Sequence, residues 1–91
     1  MSALFQRIIK ECGATHLGTN IHPFDGGGIT GVALLGESHI SVHTWPENNF
    51  AAFDIFMCKG HKPELAIDVL TEVLKPKHKH VNILRRGIYN D

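Results

Sequence analysis

The groups able to do chemistry in this chain are most concentrated in one short segment, Gly36-Glu37-Ser38-His39-Ile40-Ser41-Val42-His43-Thr44-Trp45-Pro46-Glu47. Serine, histidine and glutamate side chains so close together could serve nucleophilic attack, proton transfer or metal ligation. They could also be the polar face of an ordinary strand, because His39, Ser41, His43 and Trp45 alternate with Ile40 and Val42. A serine hydrolase is poorly supported: Ser38 lacks the strand–nucleophile–helix elbow, and nothing marks an oxyanion hole. Zinc is poorly supported too. His39 and His43 share a face, as do His78 and His80, but no four-ligand set follows, and no metal is expected. Cys58 reads either as a small core hydrophobe or as a reactive thiol at a strand end.

The elements that must position these groups follow from pattern. Leu4, Phe5, Ile8, Ile9 and Cys12 recur at helical spacing, with Ser2 as a capping residue and Gly13 as the stop. Thr15 to His22 alternates as a strand ended by Pro23, and Phe24-Asp25-Gly26-Gly27-Gly28 is a glycine-rich loop. Ile29 to Leu35 and Ser38 to Trp45 are strands, and Phe50 to Cys58 returns after the turn Pro46-Glu47-Asn48-Asn49. Pro63 opens a second helix with Ala66, Ile67, Leu70, Val73 and Leu74 as its buried stripe; Pro76 closes it, and His78 to Leu84 reads as a last strand. The fold class is α+β: a two-layer sandwich, an antiparallel sheet with both helices on one face.

Composition narrows the classes of function. The chain has 91 residues, 43% of them hydrophobic, with nine Lys+Arg against nine Asp+Glu. This predicts one domain, 1–91, with a core. Zero net charge argues against a protein that works by neutralising phosphates or anionic lipid, so neither nucleic acid nor membrane is an expected partner. The basic cluster Lys75, Lys77, His78, Lys79, His80, Arg85 and Arg86 is offset by acidic residues elsewhere. Two cysteines and no apolar run of spanning length suggest a cytoplasmic chain with free thiols.

The run from Gly28 to Cys58, GITGVALLGESHISVHTWPENNFAAFDIFMC, strongly resembles the core of the prokaryotic S-adenosylmethionine decarboxylase proenzymes, the short pyruvoyl-dependent class. The Glu-Ser-His, His-Thr-Trp-Pro-Glu and Asp-x-Phe-x-Cys elements occur in the family's order and spacing, and the likeness continues to Arg86-Gly87. The resemblance implies self-cleavage between Glu37 and Ser38 into a 1–37 β chain and a 38–91 α chain, with Ser38 converted to a pyruvoyl group. That cofactor would form a Schiff base with the substrate amine and accept the electrons released with carbon dioxide. The resemblance further implies His43 as the processing histidine, Thr30 as its hydroxyl support and Cys58 as the proton donor. Phe24, Trp45 and Glu47 fall at substrate positions, two aromatics suited to a nucleobase and a carboxylate suited to ribose hydroxyls. The product, decarboxylated S-adenosylmethionine, is the aminopropyl donor of polyamine (spermidine) synthesis.

Strand geometry adds a constraint of its own. Ser38 and His43 are five residues apart, so on one regular strand they lie about 16 Å apart and on opposite faces. Pairing Trp45 with Phe50 sets Glu37 opposite Cys58. A homodimer with composite sites satisfies both conditions, one protomer giving Ser38 and Cys58, the other Phe24, Thr30, His43 and Glu47. Relative to the family, an N-terminal strand is missing, Thr30 replaces a serine, and Asn48-Asn49-Phe50 replaces Tyr-Gly-Tyr. The alternatives are an ornithine or arginine decarboxylase of the same chemistry, and a binding module that never cleaves.

Overall fold

Phe5, Ile8, Ile9 and Cys12 fall on one stripe of helix α1 (Ser2–Cys12), and all four are buried. A computed structural model describes residues 1–57 and 62–83. The helix starts at the expected capping residue itself, so the cap falls one residue earlier, on Met1. The Met1 carbonyl accepts the Phe5 amide at 3.0 Å, so Ser2 is already helical and its hydroxyl makes no capping bond. Gly13 ends the helix as predicted, in the left-handed region at φ 74°, where a residue without Cβ is unstrained.

Four strands follow, β1 (His16–Pro23), β2 (Ile29–Leu35), β3 (Ser38–Trp45) and β4 (Phe50–Phe56), paired antiparallel in the order β1-β2-β3-β4. Each neighbour in space is a neighbour in sequence, so short turns fix the register throughout. Strands β2 and β3 have the predicted limits, and Trp45 pairs with Phe50 as predicted. The second helix, α2 (Glu64–Leu74), crosses the same sheet face as α1. Ala33, Leu35, Ile40, Val42 and Met57 meet Phe5, Ile8, Ile9 and Cys12 of α1, and Ala66 and Val69 of α2, in one core. Arg7 and Glu72 bridge the two helices at 2.6 Å. Both side chains are exposed, so the pair contributes at most about 1 kcal/mol.

Three expectations are corrected. The inward stripe of α2 is Ala66 and Val69 with Leu65 and Leu70 beside them, while Val73 and Leu74 are exposed. The helix sits over the sheet by its first two turns, and its last turn runs beyond the core. Residues 78–83 form no strand. Val81 and Ile83 alternate, but both are exposed and neither joins the core, so the alternation buries nothing that would hold this Lys- and His-rich run as a strand. The last position of that expected strand, Leu84, and Arg85, Arg86 and Gly87 lie outside the described residues, as does Cys58. Finally, β4 ends at Phe56 rather than reaching Cys58.

Candidate active site

Alternation along β3 turns Ile40 and Val42 to the helices and leaves Ser41, His43 and Trp45 on the open face. The pairing aligns His22, Thr30, His43 and Ala52 in one row across all four strands. Within that row the Thr30 hydroxyl and His43 Nδ1 are 3.0 Å apart. When Nδ1 carries the proton it donates to Thr30 Oγ1, and Nε2 is left as an acceptor.

The β1–β2 loop closes one wall of a cleft above this row. The Phe24 amide donates to the Gly28 carbonyl at 2.8 Å, and Gly26 and Gly27 turn at φ 90° and 94°. The Ile29 amide donates to Thr44 Oγ1 at 2.9 Å, tying the end of the loop to β3. A Cβ at Gly28 would stand 3.0 Å from the Thr44 carbonyl oxygen, so a side chain there would force the loop or β3 backbone to give by a few tenths of an ångström. The resulting cleft, about 310 Å³, is lined by Phe24, Asp25, Gly28, Ile29, Thr30, His43, Thr44, Trp45 and Glu47. Its aromatic groups are held in place: the Phe24 ring meets His22 edge-on at 4.7 Å, and Trp45 stacks on Phe50 at 5.5 Å and 28°. The turn Pro46–Asn48 is helical, with Asn49 left-handed at φ 49°, and carries Glu47 over the rim.

The opposite end of β3 is a different environment. Leu35 pairs with Ser38, so Gly36-Glu37 is a two-residue hairpin turn. Glu37 has φ 62°. A non-glycine residue held there stores roughly 1–2 kcal/mol of backbone strain. The left-handed residue of this turn is therefore Glu37, directly before Ser38, and not the neighbouring Gly36.

A family model for S-adenosylmethionine decarboxylase matches residues 1–87. The chain belongs to the S-adenosylmethionine decarboxylase family. It is 49% identical over 84 residues to the S-adenosylmethionine decarboxylase proenzyme of Methanococcus maripaludis strain S2, covering 91% of this chain and 69% of the relative. The proenzyme of Sulfurihydrogenibium sp. strain YO3AOP1 is 40% identical over 89 residues, 97% of this chain and 67% of the relative. The crystal structure of adenosylmethionine decarboxylase from Aquifex aeolicus VF5 superposes with a TM-score of 0.77 at 29% identity, over 98% of this chain and 78% of that one. The chain thus spans about two thirds of the length of the curated S-adenosylmethionine decarboxylase proenzymes it matches.

Of the residues to which the decarboxylase resemblance gave roles, the cleft gathers Phe24, Thr30, His43, Trp45 and Glu47. It does not include Glu37 or Ser38, which sit at the far end of β3. The sequence reading missed Asp25, a second carboxylate on the cleft wall, and Thr44, which anchors the loop. Asp25 was hidden inside a turn motif that already explained it. No group of three or more His, Cys, Asp and Glu side chains able to hold a metal lies among the described residues. None of the described helices is long and apolar enough to cross a membrane.

Proposed function

We propose that this chain decarboxylates S-adenosylmethionine, acting as a carboxy-lyase after cutting itself between Glu37 and Ser38. The observation that carries this reading is the cleft in which a hydrogen-bonded Thr30–His43 pair, two aromatic rings and two carboxylates face one space. The relatives' designation as S-adenosylmethionine decarboxylase proenzymes favours this substrate over ornithine or arginine, and a proenzyme over a module that is never cut.

In the processing step, Ser38 Oγ attacks the Glu37 carbonyl carbon, and the acyl group passes from nitrogen to oxygen. Elimination then frees the Glu37 carboxylate and leaves dehydroalanine at position 38. Water adds, and ammonia leaves with the old amide nitrogen, giving a pyruvoyl group at the head of residues 38–91. The left-handed backbone at Glu37 fits this chemistry, because rearrangement of the scissile bond relieves the strain. His43, oriented by Thr30, is the proton carrier, through the Nε2 that the Thr30 bond leaves available.

The pyruvoyl group supplies the electron sink for decarboxylation. The other tasks belong to side chains. Phe24 and Trp45 sandwich the nucleobase, Glu47 and Asp25 accept from ribose hydroxyls, and the two carboxylates favour a cationic sulfonium at the rim. Cys58 returns a proton to the product carbon. The product feeds aminopropyl transfer in polyamine synthesis.

Two copies complete the site. About 16 Å of strand separates Ser38 from His43, so one protomer's cleft serves its partner's Ser38. The open sheet face supports the pairing: paired Trp45 (39% exposed) and Phe50 (58%) at one end of β3 and Leu34 (54%) at the other leave apolar surface in water. Intact-mass analysis of purified protein tests the reading. Fragments 1–37 and 38–91, the latter with a pyruvoyl end, and release of carbon dioxide from S-adenosylmethionine are expected. A single uncut chain inactive on that substrate would overturn it.

A further inference from the structure

Two sequence elements contain residues to which the proposed chemistry assigns nothing: the histidine of Glu37-Ser38-His39, and the aspartate and phenylalanine that precede Cys58 by four and two positions. The fold brings the three together. His39 pairs with Phe56 across β3 and β4, and their rings stack at 5.6 Å and 24°. His39 Nε2 lies 3.3 Å from Asp54 Oδ2, diagonally across the same pair of strands. One imidazole is therefore held from two directions by β4.

The location makes this pairing matter. Position 38 is covalently secured from both sides only while the Gly36-Glu37 turn is intact. Once the chain is cut there, position 38 becomes a terminus, and chain ends fray unless something fixes them. The reacting carbonyl must nevertheless stay aligned, since a displacement of about 1 Å can cost a hundredfold in rate. His39 is the first residue beyond that terminus with a side chain anchored on another strand. The anchor is on β4, which ends at Phe56, two positions before Cys58 in the sequence.

We propose that His39, clamped to β4 by Asp54 and Phe56, is the positioning residue that keeps the pyruvoyl terminus aligned after cleavage. It touches neither substrate nor reacting atoms; it acts through the backbone of residue 38. The inference rests on the self-processing decarboxylase reading given above.

The test compares wild type with His39→Ala, Asp54→Asn and His39→Phe, the last keeping the stack but losing the polar contact. Intact mass gives the cleaved fraction, and steady-state decarboxylation of S-adenosylmethionine gives kcat and KM. Cleavage should proceed in all four. kcat should fall roughly 10- to 100-fold in His39→Ala, with KM changed less than about threefold, and Asp54→Asn and His39→Phe should fall between it and wild type. A His39→Ala/Asp54→Asn chain should be no worse than His39→Ala alone, because the two act as one unit. Cleaved variants with wild-type kcat would overturn the inference while leaving the decarboxylase intact. Variants that fold but stay uncut would also overturn it, by moving His39 into processing. A wild-type chain that is uncut and inactive would overturn both readings.

Discussion

The contact between Thr30 and His43 assigns separate tasks to two parts of the threonine side chain. The hydroxyl orients the imidazole, while the β-branch fixes χ1 and with it the direction of that hydroxyl. Thr30→Val keeps the shape and removes the oxygen, so cleavage should slow tenfold or more; Thr30→Ser should cleave at least a third as fast as wild type. Intact mass followed over time separates the two. Trp45→Ala should raise KM roughly tenfold with a smaller change in kcat, as expected when a stacking surface worth about 1–3 kcal/mol is lost. Cys12 gives a pH signature independent of the site. Burial pushes its thiol pKa up, partly offset by a hydrogen bond with the Ala66 backbone, and Glu11 and Glu64 push it further up. The folded state therefore holds that proton where the unfolded chain has lost it. Stability should be unaffected by Cys12 below the ordinary cysteine range and should decline as pH rises through and above it. Urea titrations of wild type and Cys12→Ala across that range would show the difference, with Cys12→Ala lacking the decline.

At the scale of elements, packing explains why some of the architecture was legible and some was not. The strands β2 and β3 could be read to the residue because Ile40 and Val42 alternate against polar neighbours between two tight turns, leaving one possible register. The pairing of Trp45 with Phe50 followed from the same turn. Val73, Leu74, Val81 and Ile83 misled for the converse reason: their pattern is apolar, but burial depends on what lies opposite, which no local period encodes. The site was partly legible. Family motifs pointed to Phe24, Thr30, His43, Trp45 and Glu47, yet the left-handed Glu37 and the His39 clamp arise from turn and cross-strand geometry that spacing alone does not display. Ile40, fully buried in the middle of the sheet, should cost about 2–5 kcal/mol as Ile40→Ala, with an unchanged urea m-value.

For the molecule as a whole, the proposed division of the site between the two ends of β3 predicts an unusual complementation pattern. When His43→Ala and Cys58→Ala chains are co-expressed, mixed dimers should recover one working site, whereas either chain alone should be inactive. The identity of the cut chain is the sharper readout. In a mixed dimer the His43→Ala chain is cleaved, because its partner supplies the histidine, and the Cys58→Ala chain stays whole. Mass spectrometry distinguishes the two directly, and cleavage of the Cys58→Ala chain instead would place both residues in one protomer. A charge on the open face, as in Leu34→Glu, should convert the proposed dimer to monomer in sedimentation and abolish cleavage with it.

The Gly36-Glu37 turn joins the two central strands, and a cut there changes the molecularity of the fold. One product carries α1, β1 and β2, the other β3, β4 and α2, with the core and the Arg7–Glu72 contact shared between them. Before the cut, a protomer can unfold and return as one chain, at a rate indifferent to dilution. Afterwards the halves part as separate molecules, and reassembly becomes a second-order encounter between β2 and β3 that dilution slows. The proposed maturation would thus make denaturation a one-way event at low concentration: the active form would be the one that cannot readily be rebuilt.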